Sequence, residues 1–321
     1  MAQPWGRAIA IAGFLLCVQP ALAAYPEKPV RIVVPVAAGG GADVMARLLA
    51  QRLSEKLGQQ FFVENRPGAA GVIGSHYVIG SAPDGYTLLY TPSSLSLAVA
   101  VRKKPPYDVG KDFTPIIDVA MTPYALVVNK SVPAKTMQEF IAYAKANPTQ
   151  LSYSSAGIGS ASNLAAELFK NKAGIQMVHV PNKGMNPAIV DLIGGQVQAM
   201  FAGVPALQAE KDASRVTFLA MAESKRSALM PDLPTISEQG MPDFATNNWA
   251  GLLGPAGLDP AITKKLHDGI VAILSTDDMK KRVKVLGYDV VASTPEEFGR
   301  QMKADVVRWS EVVEKANIPR N

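Results

Sequence analysis

Residues 30–53 read VRIVVPVAAGGGADVMARLLAQRL: a β-branched run stops at three consecutive glycines, Gly39, Gly40 and Gly41, and a helical pattern follows at once. A run so rich in β-branched residues predicts a buried parallel strand, and the glycines let the backbone at the following helix start come close to an anion. The order returns at residues 151–169, LSYSSAGIGSASNLAAELF. Aligning Asp43 with Asn163 also aligns Ala46 with Ala166 and Leu48 with Leu168.

Between and after these copies, strand and helix patterns alternate. The helix over 43–57 is expected to carry Val44, Leu48, Leu49, Leu53 and Leu57 on one face. Strands are predicted at 59–65, 86–91, 116–121 and 124–129, with a helix start over 69–81. A second series of helices and strands runs to 222, and an aromatic-bearing strand, NNWAGLLGP, begins at 247. Helices then fill about 260–275, 278–286 and 295–316. This order implies an α/β protein with two parallel-rich sheets in two lobes. Lobe 1 is expected to comprise 24–122 and 247–321, lobe 2 residues 123–246, with hinge crossings near 122 and 246.

Residues 1–23 are set aside from the fold: Arg7, the apolar run AIAIAGFLLCV and the tripeptide Ala21-Leu22-Ala23 predict a signal peptide cleaved near Ala23. The single cysteine, Cys17, leaves with it, so no disulfide or thiolate metal site is expected in the mature protein. A formal charge of +5 spread thinly along the chain predicts no nucleic-acid partner.

Each glycine turn places free N–H groups and the positive end of a helix at the carboxyl end of a strand, where ligands of open α/β sheets bind. The anion is narrowed by what is missing. No G-x-x-x-x-G-K-[ST] occurs, and the dinucleotide pattern fails at Val44 in the first copy and Ser162 in the second. A carboxylate needs only uncharged donors, and Ser155, Ser160, Ser162 and Asn163 supply them, with Asp43 expected as a helix cap. Thr91 and Ser94, at the end of the third strand, are expected to touch the far end of the ligand. His76, His179 and His267 lie far apart and suggest no metal site, and no G-x-S-x-G occurs. The turn at Asn65-Arg66-Pro67-Gly68 and the ring of Trp249 are read as structural.

Over nearly the whole mature chain, YPEKPVRIVVPVAAGGGADVMARLLAQRLSEKLGQQFFVENRPGAAG, APDGYTLL, PPYDVGKDFTPI, LSYSSAGIGSASNLAAELF, VHVPNKGMNPAIVDLIGGQVQAMF and MPDLPTISEQG resemble the TctC, or Bug, family. The resemblance implies a type II periplasmic binding-protein fold, a two-lobed flytrap that passes solute to the membrane permease subunits of a tripartite tricarboxylate transporter. It implies that a ligand carboxylate rests on Ala38, Gly39, Gly40, Gly41, Ala42 and Asp43 from one lobe. From the other come Ser155, Gly159, Ser160, Ala161, Ser162 and Asn163, with Asn182, Ala202 and Gly203 nearby. The chain departs from the family pattern at Asn163, usually His, at Asn182, usually Tyr, and at Ala202, often Asp. Lack of a carboxylate at 202 implies a ligand without an α-amino group, a dicarboxylate or an aromatic acid. The expected protein is a periplasmic monomer that needs no cofactor and does no chemistry. A secreted enzyme acting on a small acid, or a ligand sensor for a membrane signalling protein, are the alternatives.

Overall fold

A computed structural model describes residues 25–148, 150–246 and 248–320. The expected signal peptide and residue 247, expected to open the return to lobe 1, lie outside the described residues. In chain order the strands are β1 (Val30–Val34), β2 (Phe61–Asn65), β3 (Thr87–Pro92), β4 (Phe113–Met121), β5 (Tyr124–Asn129), β6 (Ser152–Ser155), β7 (Val178–Pro181), β8 (Ala199–Gly203), β9 (Val216–Met221), β10 (Trp249–Pro255) and β11 (Asp289–Val290). They form a six-stranded sheet in the order β11-β4-β10-β3-β1-β2 and a five-stranded sheet in the order β7-β6-β8-β5-β9.

The expectation of parallel sheets holds only away from the crossings. Parallel ladders join β1 to β2 and β3, and β6 to β7 and β8. Where the chain crosses between lobes it reverses direction, so β10 runs antiparallel to both β3 and β4, and β5 antiparallel to both β8 and β9. The two crossings are bonded to each other: the Thr122 amide donates to the Asn248 carbonyl at 2.9 Å.

Helices cover both faces of each sheet. Val30, Ile32 and Val34 enter one apolar cluster and Val33 another, which is why β1 reads as an apolar run broken only at Arg31. On α1 (Gly41–Leu57) the buried stripe is Met45, Leu49 and Leu53, at i, i+4, i+8 spacing. Val44, expected on that stripe, is exposed instead, because the helix begins at Gly41 and turns this position outward beside the glycine loop. The remaining helices are α2 (Val72–Ile79), α3 (Ser94–Ala100), α4 (Met137–Ala146), α5 (Ala161–Ala173), α6 (Met185–Ile193), α7 (Val204–Asp212), α8 (Pro260–Leu274), α9 (Asp277–Val285) and α10 (Pro295–Lys315). Sequence patterning missed α3 and α7. The first is a short, largely apolar segment of seven residues with only two serines to show a period, and the second follows a strand with no loop between, its start marked only by Pro205.

The last helix is shared. Near its start Phe298 and Met302 pack with Val33, Leu89 and Trp249 of the first sheet. Near its end Trp309, Val312 and Val313 pack with Phe140, Tyr153 and Phe169 of the second lobe.

Candidate functional site

The first glycine loop sits at the carboxyl end of β1, with residues 37–41 exposed and Asp43 only 2% exposed. Gly39 has φ 83°, a left-handed conformation that favours glycine, and its amide donates to Asp43 Oδ2 at 2.9 Å. The N-cap is Gly40, which carries no capping side chain. The expected cap, Asp43, instead sits inside the helix's first turn and reaches back past the N-cap. Its remaining acceptor capacity goes to Arg47 Nε at 3.0 Å and Asn65 Nδ2 at 2.8 Å. Burial pushes this carboxyl up, but the bonds from Arg47, the Gly39 amide and Asn65 prevail and hold its pKa below the usual carboxylate range. The amides of Gly40, Gly41, Ala42 and Asp43 find no acceptor among the described residues.

The second loop repeats this backbone. Gly159 has φ 74° and its amide donates to Asn163 Oδ1 at 2.9 Å, again four residues on. Its N-cap, Ser160, has φ −71° and ψ 160°, against −74° and 162° at Gly40. The support beneath is different. Asn163 Nδ2 donates to the Tyr153 hydroxyl at 2.8 Å, and Tyr153 donates to Glu167 Oε1 at 2.5 Å. The His179 ring stacks on Tyr153 at 4.7 Å, and its Nε2 lies 2.7 Å from Ser155 Oγ. Burial lowers the His179 pKa, a neighbouring Glu167 opposing and Lys170 assisting, so the ring is neutral at pH 7.

The serines expected as ligand donors mostly hold the loop. Ser162 Oγ accepts from the Ala156 amide at 3.0 Å, Ser155 Oγ from the Gly157 amide at 3.1 Å, and Ser160 Oγ donates to the Gly157 carbonyl at 2.6 Å. What the loop leaves open is backbone: the amides of Ile158, Ala161 and Ser162 find no acceptor among the described residues.

Other expected residues scatter. Thr91 is buried in the sheet, its hydroxyl donating to the Pro92 carbonyl, while Ser94 is half-buried at the start of α3. Asn182 flanks the second loop, its amide donating to the Ser155 carbonyl at 3.0 Å, but its side chain is tied to Asp191. Ala202 is fully buried in an apolar cluster with Val204, Leu207 and Met221, so its methyl group belongs to the core. The amine argument that rested on position 202 therefore loses its footing there. Gly203 closes on the crossing: a Cβ on it would lie 3.2 Å from Thr122 and 3.3 Å from Tyr124.

Those two residues line a cavity of about 190 Å³ where the chain passes between lobes, together with Pro92, Asn248, Trp249 and Tyr288. Gly41 of the first loop faces the same Tyr288, since a Cβ at 41 would lie 2.8 Å from the hydroxyl. The second loop touches the first lobe through Gly159, where a Cβ would meet Val101 at 3.3 Å. Trp249 is also core, 1% exposed, with Nε1 donating to Asp305 Oδ2 at 2.8 Å. Sequence reading missed Tyr124, Tyr153, His179 and Tyr288. The Tyr153–His179 pair depends on parallel register between β6 and β7, which no local pattern encodes.

The sequence profile described as "Tripartite tricarboxylate transporter family receptor" matches residues 45–318. The chain belongs to the tripartite tricarboxylate transporter receptor family. BugT of Bordetella pertussis is 36% identical over 291 residues, covering 90% of this chain and 89% of BugT. Among solved structures, R. palustris Rpa4515 with adipate is 34% identical with a TM-score of 0.75, covering 92% of this chain and 99% of that one. MatC from Rhodopseudomonas palustris, with bound malate, is 33% identical with a TM-score of 0.71, covering 90% of this chain and 100% of that one. The TctC family consists of periplasmic solute-binding receptors rather than enzymes, and the two-lobed fold is theirs. Among the described residues no helix is long and apolar enough to cross a membrane.

Proposed function

We propose that this receptor captures a small organic carboxylate between the loops at residues 37–43 and 155–163 and delivers it to the permease subunits of a tripartite tricarboxylate transporter. The observation that carries the reading is the shared backbone of the two loops. Each ties a left-handed glycine amide to the side chain four residues on, and each leaves helix-start amides without acceptors among the described residues. The adipate and malate bound by two relatives are acids of the expected kind. Charge-assisted hydrogen bonds contribute about 1.5–3 kcal/mol each, so a few of them suffice for micromolar binding, about 8 kcal/mol, after entropic costs.

The ligand class is a carboxylic acid without an α-amino group. Asp43 is the sole carboxylate in either loop and its oxygens are already bonded to Arg47, Asn65 and Gly39, so an ammonium group would find no counter-charge there. The crossings near 122 and 246 serve as the hinge, the leader is cleaved near Ala23, and the released protein acts as a monomer. A thermal-shift screen with adipate, malate, benzoate, citrate, aspartate and glutamate tests the reading, because binding raises apparent stability by mass action. Stabilisation by adipate or malate beyond that by aspartate and glutamate is expected. A screen in which only the amino acids stabilise would refute the ligand class.

A further inference from the structure

A second cavity, of about 690 Å³, opens between the lobes at the β11 edge of the first sheet. Lys225 reaches it from the segment after β9 in the second lobe, and Lys280 and Lys284 from α9 in the first. None of these three lysines makes an ion pair among the described residues. Arg226 also lines the cavity but is held by Glu238 at 3.0 Å, and Asp289 contributes one opposing carboxylate. At the inner wall stands Asp118, 1% exposed, whose Oδ1 makes no hydrogen bond of ordinary geometry among the described residues. Its other oxygen meets Gln301 Nε2 at a long 3.4 Å.

A buried carboxyl oxygen left unsatisfied is costly, and at the wall of a cavity it is a group that a molecule from outside the chain can complete. Burial, reinforced by Asp305 and Glu223 and opposed by Gln301 and by the nearby Ala120 amide, drives the Asp118 pKa well above the usual carboxylate range. Burial therefore favours its neutral, protonated form. With Gln301 donating to Oδ2, the proton is left for Oδ1, which turns the free edge into a donor.

We propose that this cavity is a second ligand site, for a small oxyanion of charge −2 or more, with Asp118 at its inner wall and Lys225, Lys280 and Lys284 as the outer cations. Three ammonium groups drawn from both lobes, without ion-pair partners among the described residues and set against Asp289, suit a multivalent anion better than a monocarboxylate. The site is separate from the carboxylate loops, since none of the residues at 37–43 or 155–163 lines it. Tyr288 stands at both this cavity and the crossing cavity and forms the partition between them.

The probes are pyrophosphate and citrate, titrated calorimetrically into the whole protein at about 0.15 M ionic strength, where long-range attraction is screened. Pyrophosphate is expected to bind, with the triple variant K225Q/K280Q/K284Q at least tenfold weaker and adipate affinity within twofold of the parent. Asp118→Leu should lose at least tenfold in pyrophosphate affinity while its Tm stays level or rises, because it removes an unpaired buried carboxyl; a purely structural Asp118 would lower Tm. Gly40→Trp, directed at the carboxylate loops, should leave pyrophosphate binding intact. Citrate binding that survives Gly40→Trp but not the triple variant would identify a polycarboxylate as an equally good occupant. The proposal is overturned if pyrophosphate shows no binding at about 10 mM, if the triple variant or Asp118→Leu binds it as tightly as the parent, or if Gly40→Trp abolishes it.

Discussion

The loops at residues 37–43 and 155–163 share a backbone and differ in what holds it. Beneath the first lies an ion pair, Asp43 with Arg47, open to water on the arginine side, where the side chain is 51% exposed. Beneath the second, two uncharged groups, Asn163 and Tyr153, stand between the loop and a Glu167–Lys170 ion pair, with neutral His179 alongside. Both arrangements present amides at a helix start, so two anchoring chemistries reach one function. They should respond differently to mutation and to pH.

The largest expected effect tests the shared part. Gly40 has an ordinary φ of −74°, and a Cβ there would only touch the Ala37 carbonyl at 3.6 Å, so the fold tolerates a side chain. Gly40→Trp should cost at least about 100-fold in affinity for adipate, close to 3 kcal/mol, with little change in Tm. Calorimetry showing parental affinity would remove the first loop from the site.

Exchanging the anchors comes next. Tyr153 has one O–H; it accepts from Asn163 and donates to Glu167. In Asn163→Asp two carboxylates would compete for that single proton, with a cost of about 2–4 kcal/mol by chemical denaturation. Asp43→Asn leaves a solvated arginine without its partner and should cost about 1 kcal/mol. Equal losses would mean that the two anchors are electrostatically alike.

The pH responses separate further. The folded pKa of His179 lies below its unfolded value, so as pH falls under about 6.5 the unfolded chain takes up a proton the native state refuses, and stability declines. Asp43, with a depressed pKa, keeps its contribution until pH falls below about 4 and loses it through the folded pKa. His179→Phe, which preserves the stacked ring on Tyr153, should flatten the stability profile between pH 6.5 and 5 while leaving the lower limb in place. An unchanged profile would exonerate the histidine. The smallest effect is a gain: Gly40→Ser supplies the N-cap hydroxyl already present at Ser160 and should raise stability by a few tenths of a kcal/mol, visible as a slight rise in Tm.

Much of this was legible in residue order. Strand–glycine–helix repetition gave two lobes, and the alignment of Asp43 with Asn163 foretold a structural equivalence that the i to i+4 bonds make concrete. The anchors beneath were not legible, because Tyr153, Glu167 and His179 meet only through β6–β7 register and the packing of α5. Nor could order alone show that serines in the second loop spend their oxygens on loop amides, since a serine that holds a turn and one that holds a ligand look the same in a string. Position 202 misled for a related reason. Successive residues of β8 point to opposite faces, and the face Ala202 takes is fixed by α6 and α7, the latter unseen in the pattern.

The shared helix α10 has a bearing on how the chain matures. Its first turns seal one interior and its last turns seal the other, with Trp309, Val312 and Val313 among the side chains that enter the far lobe. Burying side chains of that size is worth about 1.5–3 kcal/mol apiece, comparable with the net stability of a whole domain when summed. Neither half can therefore reach its final packing while residues 295–315 are missing, and a chain emerging amino end first must remain loosely collapsed until that helix arrives.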